Sequence, residues 1–130
     1  MLGEVVTFLA DNRQAFESAA GRHLLLSVTA LVAAIAMALP LALVLVHWQR
    51  LAGIAIASVN VLRTIPSLAL LAAMLPLVGT GFLPSVIALT LYGLPAILIN
   101  TYTALREVDP DIVEAGLGQG MTDRLSLIHI

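Results

Sequence analysis

The sequence predicts an all-α, polytopic membrane bundle. Of its 130 residues, 60% are hydrophobic and only 11% charged, and a mean hydropathy of +1.03 leaves too little polar surface to cover a soluble globule of this length. The charge is also segregated, because long apolar runs without ionisable side chains alternate with short segments that hold most of it. There is no Cys and no Lys, and the net charge is −2, which removes disulfide scaffolds, thiol nucleophiles, Cys metal sites and nucleic-acid binding together.

The N-terminal segment, residues 1–22, is mixed in character and reads as extracytoplasmic. The apolar run behind it is too long for a signal-peptide core and lacks a small-x-small cleavage site, so it reads as a retained span. The transmembrane region, residues 23–105, holds about three spans. Leu24 to Val46 is long enough, at 1.5 Å per residue, to cross a hydrocarbon core of roughly 30 Å. Pro40 inside it predicts a kink rather than a stop, since a neighbouring helix can satisfy the freed carbonyl.

Residues 51–62, "LAGIAIASVNVL", predict an interfacial elbow, and residues 64–80 a second span, with Arg63 at the boundary so that its guanidinium can snorkel to headgroups. "GTG" at Gly79 to Gly81 predicts a turn. The third span, residues 82–105, carries Pro84, Pro95, Asn100 and Tyr102. Three crossings put the ends on opposite faces. The six Arg favour a cytoplasmic C-terminus, with Arg50, Arg63, Arg106 and Arg124 inside against Arg13 and Arg22 outside.

Beyond the spans, residues 106–130 read as helix, Gly-rich bend, helix. Asp109 suits an N-cap, Pro110 the first helical position, and Asp111 the positive end of the helix dipole. This capping pattern explains the acidic cluster better than a metal site does. Gly116, Gly118 and Gly120 lack the preceding strand and following "GK[ST]" of a phosphate loop, so they predict a helix end and a bend, after which Thr122 caps a second short helix. His23, His47 and His129 are too far apart in sequence to suggest metal ligands.

Inside the spans, Arg63 and Asn100 are the costly polar residues. Arg63 reads as an interface anchor. Asn100 lines a translocation path or bonds a neighbouring helix, two readings the sequence leaves open. "YGLP", Tyr92 to Pro95, predicts a bend of the kind that borders substrate paths in transporters, and Pro66 breaks the chain before the second span.

Several of these residues resemble a family, the permease subunits of bacterial binding-protein-dependent ABC importers, with a MetI-like core. Its cytoplasmic loop signature has Glu-Ala-Ala, three residues, then Gly. Glu114, Ala115 and Gly120 fall on that pattern, Gly116 replaces the second Ala, and Ile130 falls on a later Ile position. "LRTIPSLALL" and "NTYTALREVDPDIVEAG" are similar to the branch that imports glycine betaine, choline and related osmoprotectants.

The resemblance covers about residues 20–124. It implies a multi-pass protein of the bacterial plasma membrane with no catalytic residue, metal or cofactor of its own. A partner ATPase subunit would use ATP. A coupling helix within "DPDIVEAGLGQG" would dock on that subunit through Asp109, Pro110, Glu114, Ala115, Gly116 and Gly120. A second permease copy or paralogue and a substrate-binding protein complete the expected assembly. With few, scattered aromatics in this chain, selectivity is expected in the binding protein.

The family core has about five spans, so the chain reads as C-terminally truncated. "LSLIHI" either continues the loop's second helix or resembles a translated sequencing-adapter read-through. On this reading the chain alone would transport nothing. Competing readings are a permease for another small solute such as an amino acid, a membrane scaffold associating through small residues such as "AGIAIAS", or a non-functional gene fragment. An ion-driven transporter would need a carboxylate within a span, and none of the eight acids lies in one.

Overall fold

The computed structural model describes residues 2–130, with side chains at all of these except 2, 5 and 6. Seven helices follow in order: α1 Leu2–Asp11, α2 Arg13–His47, α3 Gln49–Thr64, α4 Ser67–Val78, α5 Phe82–Glu107, α6 Pro110–Gly118 and α7 Asp123–His129. The described residues form no strand. Helix α2 begins well before the apolar run. Its first turns are exposed and carry an Arg13–Glu17 ion pair of 2.7 Å, worth little in water.

By length and composition two helices qualify to cross a membrane, α2 and α5, or up to three if the bent pair α3–α4 is one span. Their outer faces are apolar. Leu31, Val32, Ile35, Met37 and Leu39 of α2 are all exposed, which suits lipid and would be costly in water.

The buried stripe of α2 is Ala30, Ala34, Ala38, Ala42 and Leu45, a small residue at nearly every fourth position. Small side chains let backbones approach closely where lipid supplies no hydrophobic drive for helix association. Opposite lie Pro84, Ala88, Thr90, Leu94, Pro95 and Leu98 of α5. Thr90 Oγ1 donates to the Ala30 carbonyl at 3.4 Å, and a Cβ built on Gly93 would stand 3.7 Å from Ala34 Cβ. Further along, Ala38, Ala42 and Leu45 share a cluster with Ala52, Leu94 and Leu98, with Tyr102 and Leu105 packed against it. Numbers rise together on both helices, so α2 and α5 run parallel.

That direction constrains what lies between them. Two parallel neighbours that both cross require the intervening chain to return, and α3–α4 is the only connection. At 12 residues α4 is about 18 Å long, short of a roughly 30 Å core, so it cannot return alone. The two helices meet at a bend of 93°. The cause of the break is local: Pro66 lacks an N–H and drives the residue before it out of the helical region, and Ile65 accordingly has φ −76° and ψ 123°. The α4–α5 turn uses Gly79 and Gly81 at φ 82° and 130°, values that L side chains rarely adopt. Pro40 and Pro95 lie within continuous helices.

Candidate functional site

The segment after α5 is built by two caps and a bend. Asp109 precedes a proline, which holds it extended at φ −65° and ψ 123°, and that is also the conformation an N-cap needs. Its Oδ1 accepts from the Asp111 amide at 2.9 Å, with Pro110 in the first turn where no N–H is missed. At the other end Gly120, φ 89°, closes a Schellman motif. Its amide donates to the Leu117 carbonyl at 2.9 Å, and the Met121 amide donates to the Gly116 carbonyl at 3.1 Å. Thr122 Oγ1 then accepts from the Leu125 amide at 3.3 Å and starts α7.

This hairpin sorts the residues that the sequence grouped for coupling. Asp109, Pro110, Glu114, Ala115 and Gly120 are exposed. Gly116 is buried: a Cβ on it would meet Ile130 Cδ1 at 2.9 Å and Met121 Sδ at 3.3 Å. Gly116 therefore packs α6 against the end of α7, covered by Ile130 and Met121. This contact is not legible in the sequence, since it depends on where α7 folds back.

Between the last turns of α5 and the α6–α7 hairpin lies a groove of about 740 Å³, walled by Asn100, Ala104 and Val108 on one side and Val113, Leu117 and Leu127 on the other. Asn100 thus lines the groove from the α5 side. Arg63 is exposed in the last turn of α3 beside the Pro66 corner, without an ion pair among the described residues. Tyr92, 51% exposed, lies on α5 facing away from Ala34 and the α2 seam. The structure brings Arg63 and Pro66 together at the corner and Tyr92 and Asn100 together on α5. Thr90, which joins α5 to α2, was missed, although a threonine in a long apolar helix marks a candidate interhelical bond.

Residues 30–130 match the family described as binding-protein-dependent transport system inner membrane component. The chain belongs to that family. It is 38% identical over 126 residues to the carnitine transport permease protein OpuCB of Listeria monocytogenes, covering 97% of this chain and 58% of that protein. Against the glycine betaine/carnitine/choline transport system permease protein OpuCB of Bacillus subtilis, identity is 38% over 131 residues, 99% of this chain and 60% of that one. The osmoprotectant import permease protein OsmW of Salmonella typhimurium is 38% identical over 134 residues, 98% of this chain and 62% of its own. The chain thus spans about three fifths of the length of the curated relatives it matches. No solved structure matches it.

Proposed function

We propose that the chain forms the membrane-spanning permease part of an ATP-driven importer of quaternary-amine osmoprotectants, with glycine betaine, choline and carnitine as the substrate class. The observation that carries this is the family match through residue 130, which includes a capped helix and glycine bend on the Glu114, Ala115 and Gly120 positions. The names of the relatives, which specify carnitine, glycine betaine/carnitine/choline and osmoprotectant transport, support the substrate class.

The chain is a transport subunit rather than an enzyme, and binds no cofactor. A separate ATPase subunit uses ATP and docks on α6 through Asp109, Pro110, Glu114, Ala115 and Gly120. Gly116 keeps the knob rigid from inside. Substrate arrives from a binding protein, and a second copy or paralogue closes the path across the bilayer. The α6–α7 end is cytoplasmic and the N-terminus extracytoplasmic. The corner at Arg63 and Pro66, with Tyr92 and Asn100 on α5, borders the path, since broken membrane helices commonly do.

Glu114 tests the reading because it is exposed and its substitution spares the core. Glu114→Arg is expected to lower both ATPase stimulation and substrate uptake about tenfold or more, since like-charge juxtaposition at an interface costs several kcal/mol. Unchanged ATPase rate and uptake in membranes containing the variant would refute the coupling role.

A further inference from the structure

Five exposed residues in the middle and last turns of α5 form one stripe, apart from exposed Leu83 near its start and Arg106 near its end. Leu89, Tyr92, Ala96, Asn100 and Thr103 are all exposed, and at about 100° per residue they fall within an arc of about 80°. Its polar part begins near mid-helix, because Tyr92 stands about 15 Å along α5 from Phe82, and it reaches the groove at Asn100. Several hydroxyls in the apolar helices are satisfied locally: Thr29 Oγ1 donates to the Leu25 carbonyl at 2.6 Å, Ser58 Oγ to Ile54 at 2.9 Å and Ser85 Oγ to Gly81 at 2.8 Å, whereas Ser27 of α2 and Thr101 of α5 have no such bond. The Tyr92 hydroxyl, the Asn100 amide and the Thr103 hydroxyl have no partner among the described residues. Hydrocarbon offers such groups nothing, so an intramembrane polar stripe of this kind faces water, solute or protein.

Resting on the importer reading, we infer that this stripe lines the solute path and that the Tyr92 ring is its recognition element for a quaternary ammonium. Between Phe82 and Leu105 α5 carries no carboxylate, so it offers no counter-charge to a cation. A quaternary ammonium needs none of the hydrogen-bond acceptors that a protonated amine requires, because it has no N–H, and an aromatic face attracts it directly. Ala96 leaves open space one turn beyond the ring, and Asn100 and Thr103 supply polar contacts further along. One ring makes a passing site, not an aromatic cage. A path needs binding weak enough to release, which leaves tight selection to the binding protein.

The absence of Cys makes the test direct. Single Ala96→Cys, Asn100→Cys and Thr103→Cys variants, with Val32→Cys and Leu77→Cys as lipid-facing controls, are assembled with the ATPase subunit in vesicles. They are treated with a trimethylammonium methanethiosulfonate reagent, with and without choline. Labelling of the three stripe positions but not the controls, slowed by choline, is expected. In the Thr103→Cys background, Tyr92→Leu should raise the choline concentration needed for protection about 2–30-fold, whereas Tyr92→Phe, which keeps the ring, should hold it within about twofold. Unlabelled stripe positions in a chain that still stimulates the ATPase would overturn the path and leave the importer reading standing, with another protein segment covering the face. Labelling without choline protection, or equal effects of Leu and Phe, would overturn the role of the ring. Loss of ATPase stimulation in the Cys-free parent would instead count against the importer reading itself.

Discussion

Gly118 and Gly120 sit two residues apart and are both open to solvent, with nothing within 4 Å of a Cβ added to either. The same methyl group should nevertheless have opposite effects at the two sites. Gly118 is the last residue of α6 in helical conformation, so Gly118→Ala removes backbone freedom from the unfolded chain and stabilises the hairpin by about 0.5–1 kcal/mol. Gly120 holds φ 89° in the Schellman bend, where a Cβ crowds the following carbonyl, so Gly120→Ala costs about 1–2 kcal/mol. Hydrogen exchange of residues 109–130 in detergent micelles reads both, because local opening reports local free energy. Amide protection should rise about 2–5-fold in Gly118→Ala and fall about 5–30-fold in Gly120→Ala. Changes of the same sign, or a Gly120→Ala variant as protected as the parent, would refute the assignment of the bend to backbone conformation.

The parallel packing of α2 and α5 predicts that Ala34→Cys with Gly93→Cys oxidises to an intramolecular disulfide, since the 3.7 Å Cβ separation falls in the usual 3.5–4.5 Å range; a mobility shift on non-reducing gels checks it, and Ala34→Cys with Ser85→Cys should not react. Asp109→Ala should cost α6 about 0.5–2 kcal/mol through loss of the bond to the Asp111 amide, with Asp109→Asn retaining most of it, read as exchange at residues 111–113. Pro66→Ala lifts the restriction on Ile65 and should straighten the α3–α4 corner, lengthening a spin-label distance between positions 54 and 75 from about 22 Å toward about 31 Å by helix rise alone.

The local features were legible because each depends on neighbours in the chain. Asp109 before Pro110, Thr122 before "DRL" and the glycines at 116, 118 and 120 are caps and a bend whose geometry follows from side-chain oxygens, a missing N–H and a missing Cβ; the structure holds both caps and puts the bend at Gly120, with Gly116 and Gly118 inside α6. The corner at Pro66 belongs to the same class. Its 93° bend was not legible, because proline specifies where a helix stops and packing specifies where the next one points.

By itself the sequence determined the membrane class, the capped hairpin after α5 and the likeness of that hairpin to a coupling loop. Tertiary structure alone decided that α2 and α5 run parallel, that Gly116 lies beneath Ile130, and that Tyr92, Asn100 and Thr103 share an open face. In water, polarity marks which side of a helix turns inward. In a bilayer it does not, because lipid is as apolar as the core, and α2 is apolar almost all round. Its buried stripe differs from its lipid face mainly in size, with Ala30, Ala34, Ala38 and Ala42 set against Leu, Val and Ile, and which small residues meet depends on a partner about sixty residues away along the chain.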